Sequence, residues 1–369
     1  MHTKNLTNKR VKIAIVGCGR ISLNHIKSIL TLHSKSELVA ICDNNSERII
    51  QAKKNIVEFT PKDLNYDISS LLIFNEFSDL INEARNNPNL IDLVVLATPS
   101  GLHSIQTIEA AKANLHVCTE KPMATTWNDG LAMTKACADA GVKLFVVKQN
   151  RFNSTLQLVK RQIEENRFGQ IAMVTVNVFW QRPQSYYDQD QWRGTKKLDG
   201  GALMNQSSHY VDLLDWLVGP VLKISASTAT LGRDIESEDT AAIQLQWENG
   251  ALGTMAVTML TYPKNLEGSI TILGKKGSVR VGGPAVNKIE FWQFEDNHPD
   301  DKLIETASYE TTSVYGFGHP AYYSNMLDTL LGQAEAICDG SQGLKSLELL
   351  TGAYLSAKEN RVITFPLKS

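Results

Sequence analysis

From residue 11 to residue 147 the chain alternates short apolar runs with helical patterns, and this alternation constrains its fold more than any other feature. The runs at 11–16, 38–42, 93–97, 115–119 and 144–147 are rich in Val, Ile and Leu, with few polar residues between them. Strands covered on both faces of a parallel sheet carry that pattern, because neither face meets water. Helical stretches at 22–32, 46–55, 77–86, 104–113 and 128–140 separate the runs. Repeated strand–helix–strand units predict a doubly wound α/β domain over residues 1–150. The polar stretch 56–71 reads as a surface excursion.

Beyond residue 150 the rhythm changes. A helix is expected at 154–165, followed by strand-like runs at 172–180, 222–231, 240–248, 250–259, 268–273 and 277–281. A helix at 206–217 interrupts the series, and two more are expected at 321–338 and 345–359. Asn249-Gly250 between two runs is a hairpin signal, since both residue types tolerate the positive φ of a tight turn. Strands grouped in this way predict an α+β second domain, 151–369, built on an open, largely antiparallel sheet.

With 369 residues the chain is long enough for two cores. Its net charge of −2 gives no electrostatic reason to expect nucleic acid or an anionic membrane as a partner. No run approaches the roughly 18 apolar residues of a membrane span. The polar N-terminus has no apolar segment of the signal-peptide kind, so a cytoplasmic location is expected. The five cysteines, Cys18, Cys42, Cys118, Cys137 and Cys338, form no CxxC pair and read as reduced core thiols. No histidine pair has ligand spacing, so no metal is expected.

The first strand runs directly into Gly17-Cys18-Gly19-Arg20-Ile21-Ser22 and then a helix. Gly17 permits a tight turn and Gly19 a close backbone approach to a pyrophosphate, which the free N–H groups of the helix start would receive. Ser22 takes the place of the usual third glycine. Asp43 ends the second strand about 20 residues on, where a carboxylate accepts bonds from ribose hydroxyls and repels a 2′-phosphate. The expected cofactor is therefore NAD. Capping of the following helix is the alternative use of Asp43.

Two further segments carry a resemblance. One is Ala97-Thr98-Pro99-Ser100-Gly101-Leu102-His103 with Cys118-Thr119-Glu120-Lys121-Pro122, and the other is Gly200-Gly201 leading to Asn205, His209 and Asp212. With the glycine turn they resemble the Gfo/Idh/MocA family of oxidoreductases over nearly the whole chain. Residues 147–153, 179–188, 192–195 and 318–323 are similar to its UDP-N-acetylglucosaminuronate 3-dehydrogenases, the WlbA/WbpB type.

The resemblance implies NAD-dependent oxidation of the C3 hydroxyl of a UDP-linked N-acetylglucosaminuronic acid, for synthesis of a diacetamido-uronic acid of surface polysaccharide. It implies cofactor contacts from Gly17, Gly19, Arg20, Ile21, Asp43, Asn44, Thr98, Pro99, Ser100, His103, Glu120, Lys121 and Gln149. It implies a nucleotide-sugar site built from Lys121, Arg151, Arg182, Tyr186, Trp192, Arg193, Asn205, His209 and His319. Arginines suit the diphosphate and carboxylate, and the aromatic residues could stack on a base or sugar. Lys121, His209 and Asn205 are the expected catalytic residues. Asn205 stands where many relatives carry an aspartate, which weakens His209 as sole base and shifts that role to Lys121; the reverse order is the alternative. On one continuous helix Asn205, His209 and Asp212 would share a face. Some relatives reoxidise their bound cofactor with 2-oxoglutarate, a candidate second substrate here. A dimer or tetramer is expected by analogy. An inositol-type polyol dehydrogenase and a non-catalytic sugar sensor are the competing readings.

Overall fold

The computed structural model describes residues 10–64, 66–311 and 314–367; the polar leader at 1–9 lies outside them. Contacts divide the chain into one unit of Met1–Val147 with His319–Leu344 and another of Lys148–Gly318 with Lys345–Ser369.

In the first unit, strands β1 (Val11–Val16), β2 (Ser36–Cys42), β3 (Leu72–Phe74), β4 (Leu93–Leu96), β5 (His116–Thr119) and β6 (Leu144–Val146) form one sheet in the order β3-β2-β1-β4-β5-β6. All five pairings are parallel. Helices α1 (Ser22–Thr31), α2 (Ser46–Phe59), α3 (Phe77–Asn86), α4 (His103–Lys112) and α5 (Trp127–Asp139) make the crossovers. Every residue of β4 and β5 is buried, which explains their unbroken apolar character. The strand order reverses between β1 and β4, and ligands of such sheets gather at that point beyond the carboxyl ends of the strands.

The sequence reading found five of these strands and missed β3. That strand has three residues at the sheet edge, none fully buried, so no long apolar run marks it. The excursion expected at 56–71 is shorter than read, because α2 continues to Phe59 with Ile56 fully buried beneath it.

A second domain of 151–369 does not describe the chain fully, because 319–344 returns to the first unit. The helix His319–Leu330 packs on α1: the Tyr323 hydroxyl lies 2.8 Å from His25 Nδ1, and Lys35 Nζ lies 2.6 Å from Asp328. Tyr322, Tyr323, Met326 and Leu327 are buried along it. The helix expected at 321–338 stops at Leu330. Asn325 ties down the following loop, donating to the Glu335 carbonyl at 2.9 Å and accepting from the Ile337 amide at 3.0 Å. Val146 N then donates to Cys338 O at 3.0 Å, fastening the segment to the β6 edge.

The second unit holds β7 (Ile171–Phe179), β8 (Val221–Ala229), β9 (Thr240–Trp247), β10 (Leu252–Thr258), β11 (Glu267–Gly274), β12 (Gly277–Gly282), β13 (Lys288–Phe294) and β14 (Ile363–Thr364). Their order is β13-β12-β11-β7-β10-β9-β8-β14, antiparallel except where β7 and β10 run parallel. Helices α6 (Ser154–Glu164), α7 (Gln184–Asp188) and α8 (Ser208–Val218) belong to this unit, with α8 packed on β7 and α6 on β12. Val174, Val176, Val178, Met255, Val257, Ile270 and Ile272 are buried, while Met173, Leu252 and Leu273 lie side by side in register and exposed. Asn249-Gly250 does turn β9 into β10, with Gly250 at φ +88°. The sequence reading missed the edge strands β13, where only Phe294 is buried, and β14, of two residues. Among the described residues no helix is long and apolar enough to cross a membrane. All five cysteines are free and buried.

The return of 319–344 has a measurable consequence. Leu327→Ala empties a fully buried position on the helix that packs on α1, and should cost about 2–5 kcal/mol. Denaturant unfolding checks this; a loss under about 1 kcal/mol would mean that the position is not packed.

Candidate active site

The turn after β1 is built for close approach. Gly17 has φ +94°, and a Cβ there would sit 2.5 Å from the Ala97 carbonyl oxygen. A Cβ on Gly19 would meet nothing within 4 Å, so the space over it is open. Ser22 fills the place of the third glycine with its hydroxyl turned back to Gly19 O at 2.6 Å. No side chain caps α1 and no acidic residue stands in its first turn, whereas Asn45 caps α2. A helix start left in this state suits an anion. Asp43 accepts from Cys18 N at 2.7 Å with one oxygen and from Asn45 N at 2.8 Å with the other. The cap of α2 is thus Asn45. Each Asp43 oxygen keeps a further lone pair for a ribose hydroxyl. Arg20 and Asn44 are exposed beside this turn and Ile21 is half-buried. The set fits NAD.

Thr98, Pro99 and Ser100 form the loop after β4, where the Thr98 hydroxyl donates to Gln106 at 2.5 Å. His103 is fully buried, with Nδ1 2.9 Å from Pro122 O and Nε2 3.0 Å from Thr98 O. It staples the β4 loop to the β5 loop, and both ring nitrogens expected near the cofactor are engaged by backbone carbonyls. Burial lowers its pKa, against hydrogen bonds to both carbonyls that raise it.

Lys121 follows β5, half-buried, with a cis bond to Pro122. Its backbone N–H donates to Glu120 Oε2 at 3.0 Å, and Glu120 Oε1 lies 3.2 Å from His25 Nε2. Burial would raise the Glu120 carboxyl, but His25, Lys121 and His319 hold it at about 2. His319 stands edge-on to the His25 ring at 6.0 Å and is 4% exposed. Burial, then the charge of His25, pushes it down to about 3. Its place is this buried cluster of the first unit, which corrects the expected sugar contact. His25 escaped the sequence reading; its signal was a polar residue beside Ile26 and Ile29 on the apolar stripe of α1.

In the second unit, Asp212 of α8 is clamped. Lys148 Nζ donates to it and to Ser346 Oγ at 2.6 Å, and Arg151 donates through Nε and Nη2 at 2.7 Å each. Burial would raise Asp212, and the two cations bring it down to about 2. Arg151 is 2% exposed, so its expected contact with substrate phosphate is corrected: its fork is spent on Asp212. Lys148 was missed, although it ends an apolar run.

Gln149 was expected at the cofactor; its Nε2 lies 3.1 Å from His209 Nε2. An amide nitrogen only donates, so His209 Nε2 accepts and the proton of a neutral ring sits on Nδ1. Asn205 does not continue α8. Ala202–Gln206 is a turn of π-helix, and α8 starts at Ser208. The helical period breaks between Asn205 and His209, so Asn205 leaves the face expected for the three, while His209 and Asp212 stay one turn apart on α8.

That turn rests on groups the sequence reading missed. Ala202 N donates to Glu238 O at 3.1 Å, Leu203 N to Glu238 Oε1 at 2.8 Å, and Met204 N to the Tyr354 hydroxyl at 3.1 Å. Three otherwise orphaned N–H groups are satisfied in succession. Gly201, at φ +98°, has no room for a Cβ, which would collide with the Glu238 carboxylate. The Tyr354 oxygen lies 2.6 Å from Gly200 O and 2.7 Å from Glu238 Oε1 with one proton for both. A protonated Glu238 supplies the second, and burial pushes that carboxyl up to about 7.

Arg182, Tyr186, Trp192 and Arg193 do come together. Arg193 lies 4.4 Å from the Tyr186 ring and 4.7 Å from the Trp192 ring, and Arg182 lies 5.5 Å from Tyr186. The aromatic faces thus stack on arginine, and Asp190 pairs with Arg193 at 3.0 Å. Elsewhere in this unit Glu165, His298 and Asp300 come within ligand reach of one another, but Gln162 already donates to Asp300 at 2.7 Å.

Two family models match the chain: the oxidoreductase family NAD-binding Rossmann fold over residues 11–148, and the oxidoreductase family C-terminal alpha/beta domain over 160–365. The chain belongs to the Gfo/Idh/MocA family. Residues 11–148, which carry the parallel sheet of the first unit, are that family's NAD-binding domain. It is 55% identical to the WlbA dehydrogenase from Bordetella pertussis, solved with NADH and UDP-GlcNAcA, with a TM-score of 0.90 over 98% of this chain and 100% of that one. It is 52% identical to the WlbA protein of Chromobacterium violaceum, with the same two ligands, at a TM-score of 0.88 over 99% of each. The D-apiose dehydrogenase of Paraburkholderia graminis is 26% identical over 97% of this chain and 90% of its own length.

Asp212→Asn should destabilise the protein by about 3–5 kcal/mol, since Lys148 and Arg151 would remain buried without their anion. The depressed folded pKa also sets a sign. The contribution of Asp212 is present above its ordinary value of 3.8 and is lost as pH falls toward about 2. Chemical denaturation between these limits should show a shallower acid loss in Asp212→Asn than in the parent; parallel curves would contradict the clamp.

Proposed function

We propose that this protein is an NAD-dependent dehydrogenase that oxidises the C3 hydroxyl of UDP-N-acetylglucosaminuronic acid to the 3-keto sugar, a precursor class for diacetamido-uronic acids of surface polysaccharide. The observation that carries the reading is 55% identity, over the full length, to a dehydrogenase solved with NADH and that nucleotide sugar. NAD supplies the two-electron acceptor when bound.

The chain's own part is to hold the sugar and take a proton. Lys121 is the proposed base, its main chain fixed by Glu120 at the carboxyl edge of the sheet. A lysine beside a cationic cofactor gives up its proton more readily and so becomes an acceptor. Gln149 on Nε2 of His209 favours this assignment over the reverse, since that nitrogen already has a donor. His209 and Asn205 position the hydroxyl. Arg182 and Arg193, set among Tyr186 and Trp192, supply charge for the diphosphate or the uronate, and a neutral polyol would need none. A dimer or tetramer would cover Met173, Leu252 and Leu273 on the open face of the second sheet. 2-Oxoglutarate is the proposed acceptor for recycling the reduced cofactor.

The test is NADH formation with UDP-GlcNAcA, UDP-GlcNAc or myo-inositol, each with and without 2-oxoglutarate, and the mass of the product. UDP-GlcNAcA should yield a sugar two hydrogens lighter. Lys121→Met should lower kcat by about 100-fold or more, the usual contribution of a positioned base. Silence with every sugar would favour a sensor, and a Lys121→Met enzyme with most of its turnover would reject the lysine as base.

A further inference from the structure

Asp199 is fully buried, and the mechanism above makes no use of it. It lies in the loop between Gly194 and the Gly200-Gly201 turn, and both of its oxygens are engaged. Oδ2 accepts from Gly194 N at 2.7 Å, and Oδ1 accepts from the side-chain nitrogen of Asn205. The loop itself is held from two sides. Asp199 N donates to Thr195 O at 3.1 Å, and Ser237 donates to Gly194 O through N and Oγ at 2.9 Å each.

We propose that Asp199 is a positioning residue that decides which atom Asn205 offers to the sugar. The proposal rests on the reading of Asn205 as a substrate contact. An amide has two faces of opposite character, one donating and one accepting, and a half-turn exchanges them. A carboxylate accepts only. It therefore takes the Asn205 nitrogen and turns Oδ1 the other way, since the flipped amide would set oxygen against oxygen. Asn205 Oδ1 is then an acceptor matched to a donor such as a sugar hydroxyl, and mismatched to a carbonyl or carboxylate.

Substitution separates this role from scaffolding. In Asp199→Asn the side chain keeps one oxygen, which the Gly194 N–H would hold, so its NH2 would face Asn205. The Asn205 amide then flips, every bond is remade, and a donor replaces the acceptor. Asp199→Asn should fold and lose about tenfold or more in kcat/KM for UDP-GlcNAcA, the effect of presenting the wrong hydrogen-bonding partner. The exchange Asp199→Asn with Asn205→Asp restores the pattern, since the amide now at the first position can donate to the carboxylate now at the second and still accept from Gly194. It should recover kcat/KM to within about threefold of the parent, on the scale of a remade hydrogen bond. Asn205→Asp alone sets two carboxylates together. The pair must hold one proton to mimic the parent, so its activity should fall relative to the parent's as pH rises. Tyr187, Glu238 and Tyr354 are among the titratable groups that feel Asp199, and they are common to all four proteins.

The decisive experiment is steady-state kinetics on the four proteins across pH, with thermal unfolding of the same proteins free of ligand. In the unfolding series Asn205→Asp should be the least stable near neutral pH and the exchange should regain most of that loss. A parent inactive on the sugar would overturn the substrate reading, and the unfolding cycle would still judge the Asp199–Asn205 bond. The proposal is overturned if Asp199→Asn keeps kcat/KM within about twofold, if the exchange is no better than Asp199→Asn in an active parent, or if the unfolding midpoints simply add.

Discussion

A pyrophosphate can meet the start of α1 only if nothing stands between them, and the first unit satisfies this by omission. Gly17 has no Cβ where the Ala97 carbonyl would meet one, Gly19 has open space above it, no side chain caps α1, and no acid stands in its first turn. The partial positive charge of that helix end is left for a ligand. Asp43 then places a carboxylate beside the turn while its backbone bonds hold the turn in shape. The parallel sheet serves this arrangement, because its order reverses between β1 and β4.

The second unit solves a different problem. It must hold Asn205 on a π-helical turn just ahead of His209 on α8, and it does so with buried polar groups. Taking a charge out of water costs several kcal/mol unless it is paired, so such groups need complete networks. Asp212 has two cations, and the π-helical turn has Glu238 and Tyr354 beneath its three leading N–H groups. An apolar core could stabilise the unit equally well. It could not set the direction of an amide or the tautomer of an imidazole.

The parts of the fold legible in the sequence were those with strong periodicity. Strands buried on both faces, such as β4, and the hairpin at Asn249-Gly250 stand where their residues imply. Edge strands β3, β13 and β14 are short or half-exposed and leave no run to read. The return of 319–344 to the first unit is a long-range packing choice, and no local pattern announces it. Motif residues were legible as types rather than as roles. Arg151 has the chemistry for a phosphate, but a buried Asp212 claims it; His319 has the chemistry for a sugar, but packs on His25. Residues such as Asp199, Glu238 and Tyr354 act through another residue's backbone or amide, and only three-dimensional proximity reveals that.

The central claim is that the turn after β1 and the carboxylate of Asp43 form a dinucleotide site selective for NAD. The most direct measurement is a pair of fluorescence titrations with NADH and NADPH at equal ionic strength. The account predicts tighter binding of NADH by about tenfold or more, or roughly 1.4 kcal/mol, because a 2′-phosphate would meet a buried anion. Equal affinities, or tighter binding of NADPH, would contradict it.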